Sequence, residues 1–253
     1  MSEPHRSSDG TRATAASPHG GLRAGNAQDA LSILQTMATP DNRSSTARRI
    51  PADQVIGVRM KDVFDLAKAS SEMDLDEVQA LLRSPWYEGR LTAVSILDFR
   101  ARRRGRDEPD RAAIYAMYLD EHAHIDSWCL VDRAAPRVVG DYLLTRPRDP
   151  LLDLARSARP MERRTAITAA FWLIRARDLE DPFLLVDMLL DDHEHFVQTS
   201  VGIALRELGK IDAPRTARYV EENRARLSPA TRRLARVSPK RTPEPKKIEP
   251  HSL

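Results

Sequence analysis

The strongest constraint on the fold is an internal repeat, because four segments of the chain can be laid over one another. Each opens with a turn and continues into a helix with apolar residues every three or four positions, and the segments start 32 to 42 residues apart. This spacing is typical of stacked helix pairs. The segments are Ser84–Leu97, Asp126–Val139, Ala158–Phe171 and Asp192–Leu205. The repeat predicts an α-solenoid. An irregular helical bundle is the alternative, since amphipathic helices overlay easily.

Helical periodicity extends well beyond the four segments and sets the fold class. Apolar residues recur at helical spacing from about Asp62 to Leu234, whereas β-branched runs and Asn-Gly turns are nearly absent and the chain has only ten glycines. This pattern indicates an all-α protein. Within it, Pro136 is expected to kink a helix or to begin a new one.

Composition divides the chain into three regions. Residues 1–25 are rich in small and polar residues and are expected to form a disordered leader. Residues 26–237 carry the helical-repeat domain, in which the polar stretch Thr39–Pro51 is expected to be a loop. Residues 238–253 are basic and rich in proline and are expected to be a disordered tail that could bind polyanions.

Cysteine usage and hydropathy indicate the compartment. Cys129 is the only cysteine, so no intrachain disulfide can form, and no run approaches the roughly 20 apolar residues of a membrane span. The N-terminus has no apolar signal core. We expect a cytoplasmic protein with no membrane partner, acting as a monomer.

Basic residues are unevenly distributed. The net charge is only +3, but residues 223–253 hold nine Arg or Lys against two Glu. Of the 40 basic residues, 34 are Arg, whose forked guanidinium suits phosphate and carboxylate, although a compositional bias toward Arg explains this equally well. Any nucleic-acid surface must therefore arise from local arrangement and the tail.

The repeat also brings polar residues to equivalent positions. Six residues into the four segments stand Arg90, Asp132, Arg164 and Gln198, which are expected to share one surface. Arginines and an amide suit a phosphate backbone. A lone carboxylate would repel phosphate, so Asp132 is either an ion-pair partner or takes part in chemistry.

Trp128 precedes Asp132 by four residues, which places both on one helix face. In one interpretation Trp128 packs in the core and Asp132 pairs with Arg164 or Arg133. In the other, the pair forms an aromatic wall beside a carboxylate, which suits a cationic group. His122 and His124 lie in a nearby acidic turn without a recognised metal-ligand spacing, so a solvated turn is favoured there.

Several stretches between Gly57 and Arg206 resemble the DNA alkylation-repair glycosylases built of HEAT-like repeats (AlkD-like). The most specific is the Trp-x-Leu-Val-Asp motif that ends at Asp132. The stretches are Ile56–Arg59, Ser84–Leu91, Ile125–Asp132, Glu162–Ile167 and Val201–Glu207. The resemblance implies a right-handed solenoid of HEAT-like repeats with a concave DNA-binding face.

The resemblance also implies roles for individual residues. Trp128 and Asp132 match the family's catalytic aromatic and acidic positions, and Arg164 and Arg206 match arginines that contact the DNA backbone. The implied DNA-binding set is Arg90, Arg163, Arg164, Gln198 and Arg206. Ile203 stands where the family has a second active-site Trp, which predicts a weakened enzyme.

The expected function is therefore that of a DNA glycosylase in base-excision repair. It would hydrolyse the N-glycosidic bond of cationic alkylpurines, of the 3-methyladenine and 7-methylguanine type, in duplex DNA in the bacterial cytoplasm, at the nucleoid. No metal or organic cofactor is expected. The alternatives are a non-catalytic protein that binds damaged or distorted DNA and a protein-binding α-solenoid.

Overall fold

The computed structural model describes residues 22–235 except 104 and 106, so the expected tail and nearly all of the expected leader lie outside the described residues. The described part is helical and contains no strand, which confirms the all-α prediction. No helix in it is long and apolar enough to cross a membrane. Its α-helices are α1 Ala27–Thr36, α2 Pro40–Thr46, α3 Met60–Ala69, α4 Leu75–Leu82, α5 Tyr87–Ala101, α6 Glu108–Asp120, α7 Trp128–Ala135, α8 Asp149–Arg156, α9 Pro160–Arg175, α10 Glu180–Met188, α11 His195–Ile211, α12 Ala213–Glu222 and α13 Pro229–Leu234.

Three short non-α helices complete the described secondary structure. Two are 3₁₀ turns, Ala52–Gln54 and His122–His124, and the third is a π-helix, Pro136–Asp141. The π-helix follows α7 directly, so Pro136 begins a new helical segment, as predicted. The chain divides into two compact units after Phe99.

In the first unit, a buried carboxylate connects α5 to the turn before α3. Glu88, at the start of α5, is 1% exposed and accepts backbone N–H bonds from Ile56, Gly57 and Val58 at 2.9, 2.9 and 3.3 Å. These bonds satisfy donors that the turn before α3 would otherwise leave unpaired. The turn reverses through Gly57, whose φ of +103° favours glycine.

The prediction of a loop over Thr39–Pro51 was wrong. The structure has α2 there, because the Thr39 side chain accepts from the backbone N–H of Asn42 and Pro40 supplies the fixed φ of a first helical turn. None of the residues of α2 is buried, so no apolar periodicity marks this helix in the sequence.

The second unit is built around α9. This helix lies between α7 and α11 and also contacts α8, α10 and the π-helix, while α8 and α10 contact each other. Every residue from 163 to 170 is buried as a result. Helices α7, α9 and α11 thus form one row and α8 and α10 a second, which is consistent with an array of helical pairs.

The close contact of α9 with the π-helix depends on Gly140. A Cβ atom at this position would lie 2.2 Å from the carbonyl oxygen of Ala169 and 2.9 Å from Cβ of Trp172. The backbones can therefore approach only because residue 140 has no side chain.

Candidate active site

Helix α7 exposes two side chains of opposite character next to each other. Leu130, Val131 and Ala134 are buried, which leaves Trp128 and Asp132 on the other side of the helix. Trp128 is 39% exposed and is one of three large hydrophobic residues left exposed in the described chain. The Asp132 side chain is also 39% exposed. An aromatic ring and a carboxylate are thus both open to solvent, one turn apart.

Arg164 on α9 donates two hydrogen bonds to the Asp132 carboxylate. Its Nε donates to Oδ1 at 3.0 Å and its Nη2 to Oδ2 at 2.7 Å. The remaining Nη1 donates to the carbonyl oxygen of Phe196 on α11. The Arg164 side chain is only 4% exposed, and its guanidinium carbon lies 5.8 Å from the centroid of the Trp128 ring. One buried arginine of α9 therefore contacts both α7 and the first turn of α11.

The structure agrees in part with both interpretations of Trp128 and Asp132, the structural one (core packing and an ion pair) and the functional one (an aromatic wall beside a carboxylate). Asp132 does pair with Arg164, as the structural interpretation required. Trp128 does not pack in the core, and its exposed ring stands beside the carboxylate, as the functional interpretation required.

A buried polar cluster lies next to Arg164. Thr165 Oγ1 is 2.8 Å from Nε2 of His122 and 3.2 Å from the hydroxyl of Tyr118. Burial lowers the pKa of His122 to about 4, so the ring is neutral at pH 7, and burial raises the pKa of Tyr118. The expectation of a solvated turn was wrong for His122, which is 3% exposed. The signal that sequence reasoning missed is the four-residue spacing of Tyr118 and His122, whose rings make an edge contact.

Three of the predicted DNA-binding side chains share an internal bonding pattern. Arg90 donates to the carbonyls of Ser84 and Pro85, six and five residues earlier, both at 2.9 Å. Arg163 repeats this with Ser157 and Ala158 at 3.0 Å, and Gln198 donates to the carbonyl of Asp192 at 2.9 Å. All three are less than 10% exposed. Each of these side chains therefore binds carbonyl groups of the loop that precedes its own helix.

This pattern corrects the register of the repeat. The overlay of segments placed Arg164 opposite Arg90, but the residue with the bonds of Arg90 is Arg163. The third segment therefore begins one residue earlier than predicted. Arg90, Arg164 and Gln198, which were expected to share one surface, are also buried and form hydrogen bonds inside the protein. Arg163 in addition binds Asp192 through two nitrogens.

Arg206 and Ile203 lie further along α11. The Arg206 side chain is 41% exposed and lies 3.4 Å from Oε1 of Glu207. Ile203 lines a groove of about 510 Å³ together with Phe171 and Trp172 of α9. The presence of these two aromatic side chains in one groove with Ile203 was not predicted from the sequence.

Comparisons with known proteins bear on the fold and the family. No curated protein matches the chain. A solved structure described as "Predicted DNA alkylation repair enzyme from Enterococcus faecalis" superposes with a TM-score of 0.62 at 16% sequence identity, covering 80% of this chain and 96% of that one. At this identity the likeness shows a shared fold. Residues 30–237 match the family described as DNA alkylation repair enzyme. The chain therefore belongs to the family of DNA alkylation repair enzymes.

Proposed function

We propose that the protein is a DNA glycosylase that removes cationic alkylpurines from duplex DNA. The observation that carries the proposal is the exposed pair of Trp128 and Asp132, with the carboxylate fixed by a buried arginine. A ring face attracts positive charge by about 0.5–2 kcal/mol. A fixed carboxylate stabilises a cation that develops next to it.

The chemistry requires little more than this pair. In a 7-alkylguanine the base already carries positive charge, so it leaves with the electron pair of the N-glycosidic bond as a neutral molecule. The sugar then acquires oxocarbenium character at C1′, which the Asp132 carboxylate stabilises, as a carboxylate does in glycoside hydrolysis. Water forms the new bond to C1′ and releases a proton to solvent. Arg164 donates to both carboxylate oxygens and so orients Asp132 before substrate arrives.

The remaining features of the proposal concern the DNA. We infer a right-handed solenoid whose concave face binds the duplex, with a monomeric protein that works without metal or organic cofactor in the bacterial cytoplasm. The half-exposed Arg206 is our assignment for a direct phosphate contact. Arg90, Arg163, Arg164 and Gln198 are bonded internally, so we assign them the indirect task of fixing the starts of their helices.

A second candidate function is binding without catalysis. It is favoured by one observation, that both oxygens of Asp132 already accept bonds from Arg164, which offsets the carboxylate's negative charge. Such a protein would recognise damaged or distorted DNA and leave the glycosidic bond intact.

Single-turnover release of 7-methylguanine from methylated duplex DNA separates the two functions. The wild-type protein should release the base, and Asp132→Asn should be at least about 10-fold slower, equivalent to ~1.4 kcal/mol in the barrier. Asp153→Asn is the matched control, because that side chain is 77% exposed and, within the described residues, its ion pair is with nearby exposed Arg156. Melting temperatures of all three proteins exclude an effect of unfolding. No release by folded wild-type protein would favour the binder, and undiminished release by Asp132→Asn would remove Asp132 from the mechanism.

A further inference from the structure

A depression at the end of the helical array collects arginines that the proposed chemistry does not use. It lies between α12 and α13 and has a volume of about 520 Å³. The residues that line it, which together form the α12–α13 surface, are Val220, Arg224, Pro229, Arg232 and Arg233. Three of these five residues are cations and none is an acid. The acid Glu221 is close by, but it is 73% exposed and pairs with Arg224.

The charges of two of these arginines are not compensated. Among the residues that the structure describes, no carboxylate pairs with Arg232 or Arg233. The nearby Arg226 differs, because it forms ion pairs with both Asp187 and Asp191 at 2.9 and 2.6 Å. The positive charge of the α12–α13 surface is therefore available to an anion outside the protein.

Two general structural roles do not account for this surface. The last helices of a repeat array need a polar outer face, and a cation in the last turn of a helix opposes the helix dipole. Mixed charges satisfy the first need, and a single cation satisfies the second. Three arginines around one depression exceed both needs. Guanidinium groups placed side by side in this way suit the oxygen atoms of phosphates.

Helix α13 extends the row of helices that carries the candidate active site. Thr231 donates to Oε1 of Gln198 on α11 at 2.6 Å. A Cβ atom at Gly202 would lie 2.8 Å from Cβ of Leu234, so α13 packs closely on α11. The row therefore continues as α7, α9, α11 and α13.

The length of this row relates the α12–α13 surface to Asp132. Helices that pack side by side lie about 8–10 Å apart, so three steps place α13 roughly 25–30 Å from α7. At 3.4 Å for each base pair, this separation corresponds to about eight base pairs of duplex. A duplex engaged at Asp132 is therefore long enough to reach the α12–α13 surface.

We propose that the α12–α13 surface binds the phosphate backbone of duplex DNA on one side of the lesion, through Arg232 and Arg233. This inference rests on DNA being the substrate, as in the proposed function. The contact is to phosphates alone, so it contributes affinity without regard to sequence or damage. It holds the protein on intact DNA next to the base that reacts.

The salt dependence of binding to undamaged DNA tests the proposal, because no excision is needed. Binding to a duplex of about 20 base pairs, which spans both sites, is measured by fluorescence anisotropy over a range of salt. The double variant Arg232→Gln/Arg233→Gln should reduce the slope of log K against log salt by roughly two units, because two phosphate contacts are lost. Melting temperatures show whether each variant is folded.

A second double variant is the matched control for net charge. Arg156→Gln/Arg215→Gln also removes two positive charges from the protein surface, but these arginines pair with Asp153 and Glu180 and lie outside the α12–α13 surface. Its salt slope should equal that of the wild type. Vesicles of phosphatidylglycerol are a second probe, and the wild type and Arg232→Gln/Arg233→Gln should not differ in co-sedimentation with them.

Two results would overturn the proposal. One is a slope for Arg232→Gln/Arg233→Gln that equals the wild-type slope or the slope of an equally affected control, since overall charge would then explain the binding. The other is a loss of vesicle binding at an unchanged DNA slope, which would assign the surface to a membrane. A protein with the expected slopes that releases no 7-methylguanine would fail as a glycosylase and keep this site, and the reverse outcome would do the opposite.

Discussion

Arg164 is buried and Asp132 is half-exposed, yet the two side chains share two hydrogen bonds, at 3.0 and 2.7 Å. The pair is therefore asymmetric. Loss of Arg164 leaves a carboxylate that water can solvate, whereas loss of the Asp132 charge leaves a cation with the Phe196 carbonyl as its remaining partner. The same two residues serve the scaffold and, in our proposal, the reaction.

A double-mutant cycle measures how strongly the two residues act together. Asp132→Asn should lower the free energy of unfolding by roughly 1–3 kcal/mol, less than for a fully buried pair because the carboxylate is partly solvated. The double variant with Arg164→Gln should lose less stability than the sum of the losses in the two single variants. The difference, measured by urea unfolding, should be roughly 1–2 kcal/mol. Strictly additive losses would show that the ion pair does not contribute to stability.

Arg206 and Arg163 should respond differently to substitution by alanine. Arg206→Ala should reduce the slope of log K against log salt by about one unit, because one phosphate contact is lost. Arg163→Ala should instead lower the melting temperature, since it removes bonds to Asp192 and to two loop carbonyls. Binding titrations over a range of salt, with melting curves for each variant, compare the two. A lower salt slope for Arg163→Ala at unchanged stability would contradict the structural assignment.

Stability should depend on pH through His122. Its pKa is about 4 in the folded protein and about 6.5 in an unfolded chain, so the unfolded state binds more protons between these values. The free energy of unfolding should therefore fall by roughly 3 kcal/mol as the pH is lowered from about 6.5 to 4. Urea unfolding of the wild type and of His122→Gln at several pH values measures this loss. His193→Gln, at a side chain that is 83% exposed, is the control and should keep the wild-type dependence.

The contact at Gly140 should tolerate no side chain. Gly140→Ala places a Cβ atom 2.2 Å from the Ala169 carbonyl oxygen, so the π-helix and α9 must separate, at a typical cost of ~1–3 kcal/mol. Gly25→Ala is the control, because nothing lies within 4 Å of the added atom. The measurement is the melting temperature of both variants, which should be lower for Gly140→Ala than for Gly25→Ala. Equal melting temperatures would show that the two helices can shift without loss.

The sequence predicted those parts of the site that depend on local spacing. Trp128 and Asp132 share a face because they are four residues apart, and Arg164 was one of two expected partners of Asp132. The one-residue shift between Arg163 and Arg164 was not predictable, because adjacent arginines fit an overlay equally well. Only the carbonyls that each side chain reaches distinguish them.

The features that the sequence did not predict depend on tertiary packing. The resemblance matched Ile203 to an active-site Trp, but it did not predict that Ile203 lines a groove together with Phe171 and Trp172, because the packing of α9 and α11 determines which residues meet. Helix α2 was missed for a related reason. Its capping residues were present in the sequence, but it buries nothing and so lacks the periodicity by which helices are found.

The repeat position that binds the preceding loop accounts for the exposed carboxylate to which we assign the reaction. Arg90, Arg163 and Gln198 donate to loop carbonyls, but a carboxylate has no proton to donate. In the overlay of segments, Asp132 occupies that position in the second repeat, where the buried contact of His122 with Thr165 anchors the preceding turn instead. In our proposal, one repeat position is thus available for the reaction, while the equivalent positions in the neighbouring repeats keep their structural role.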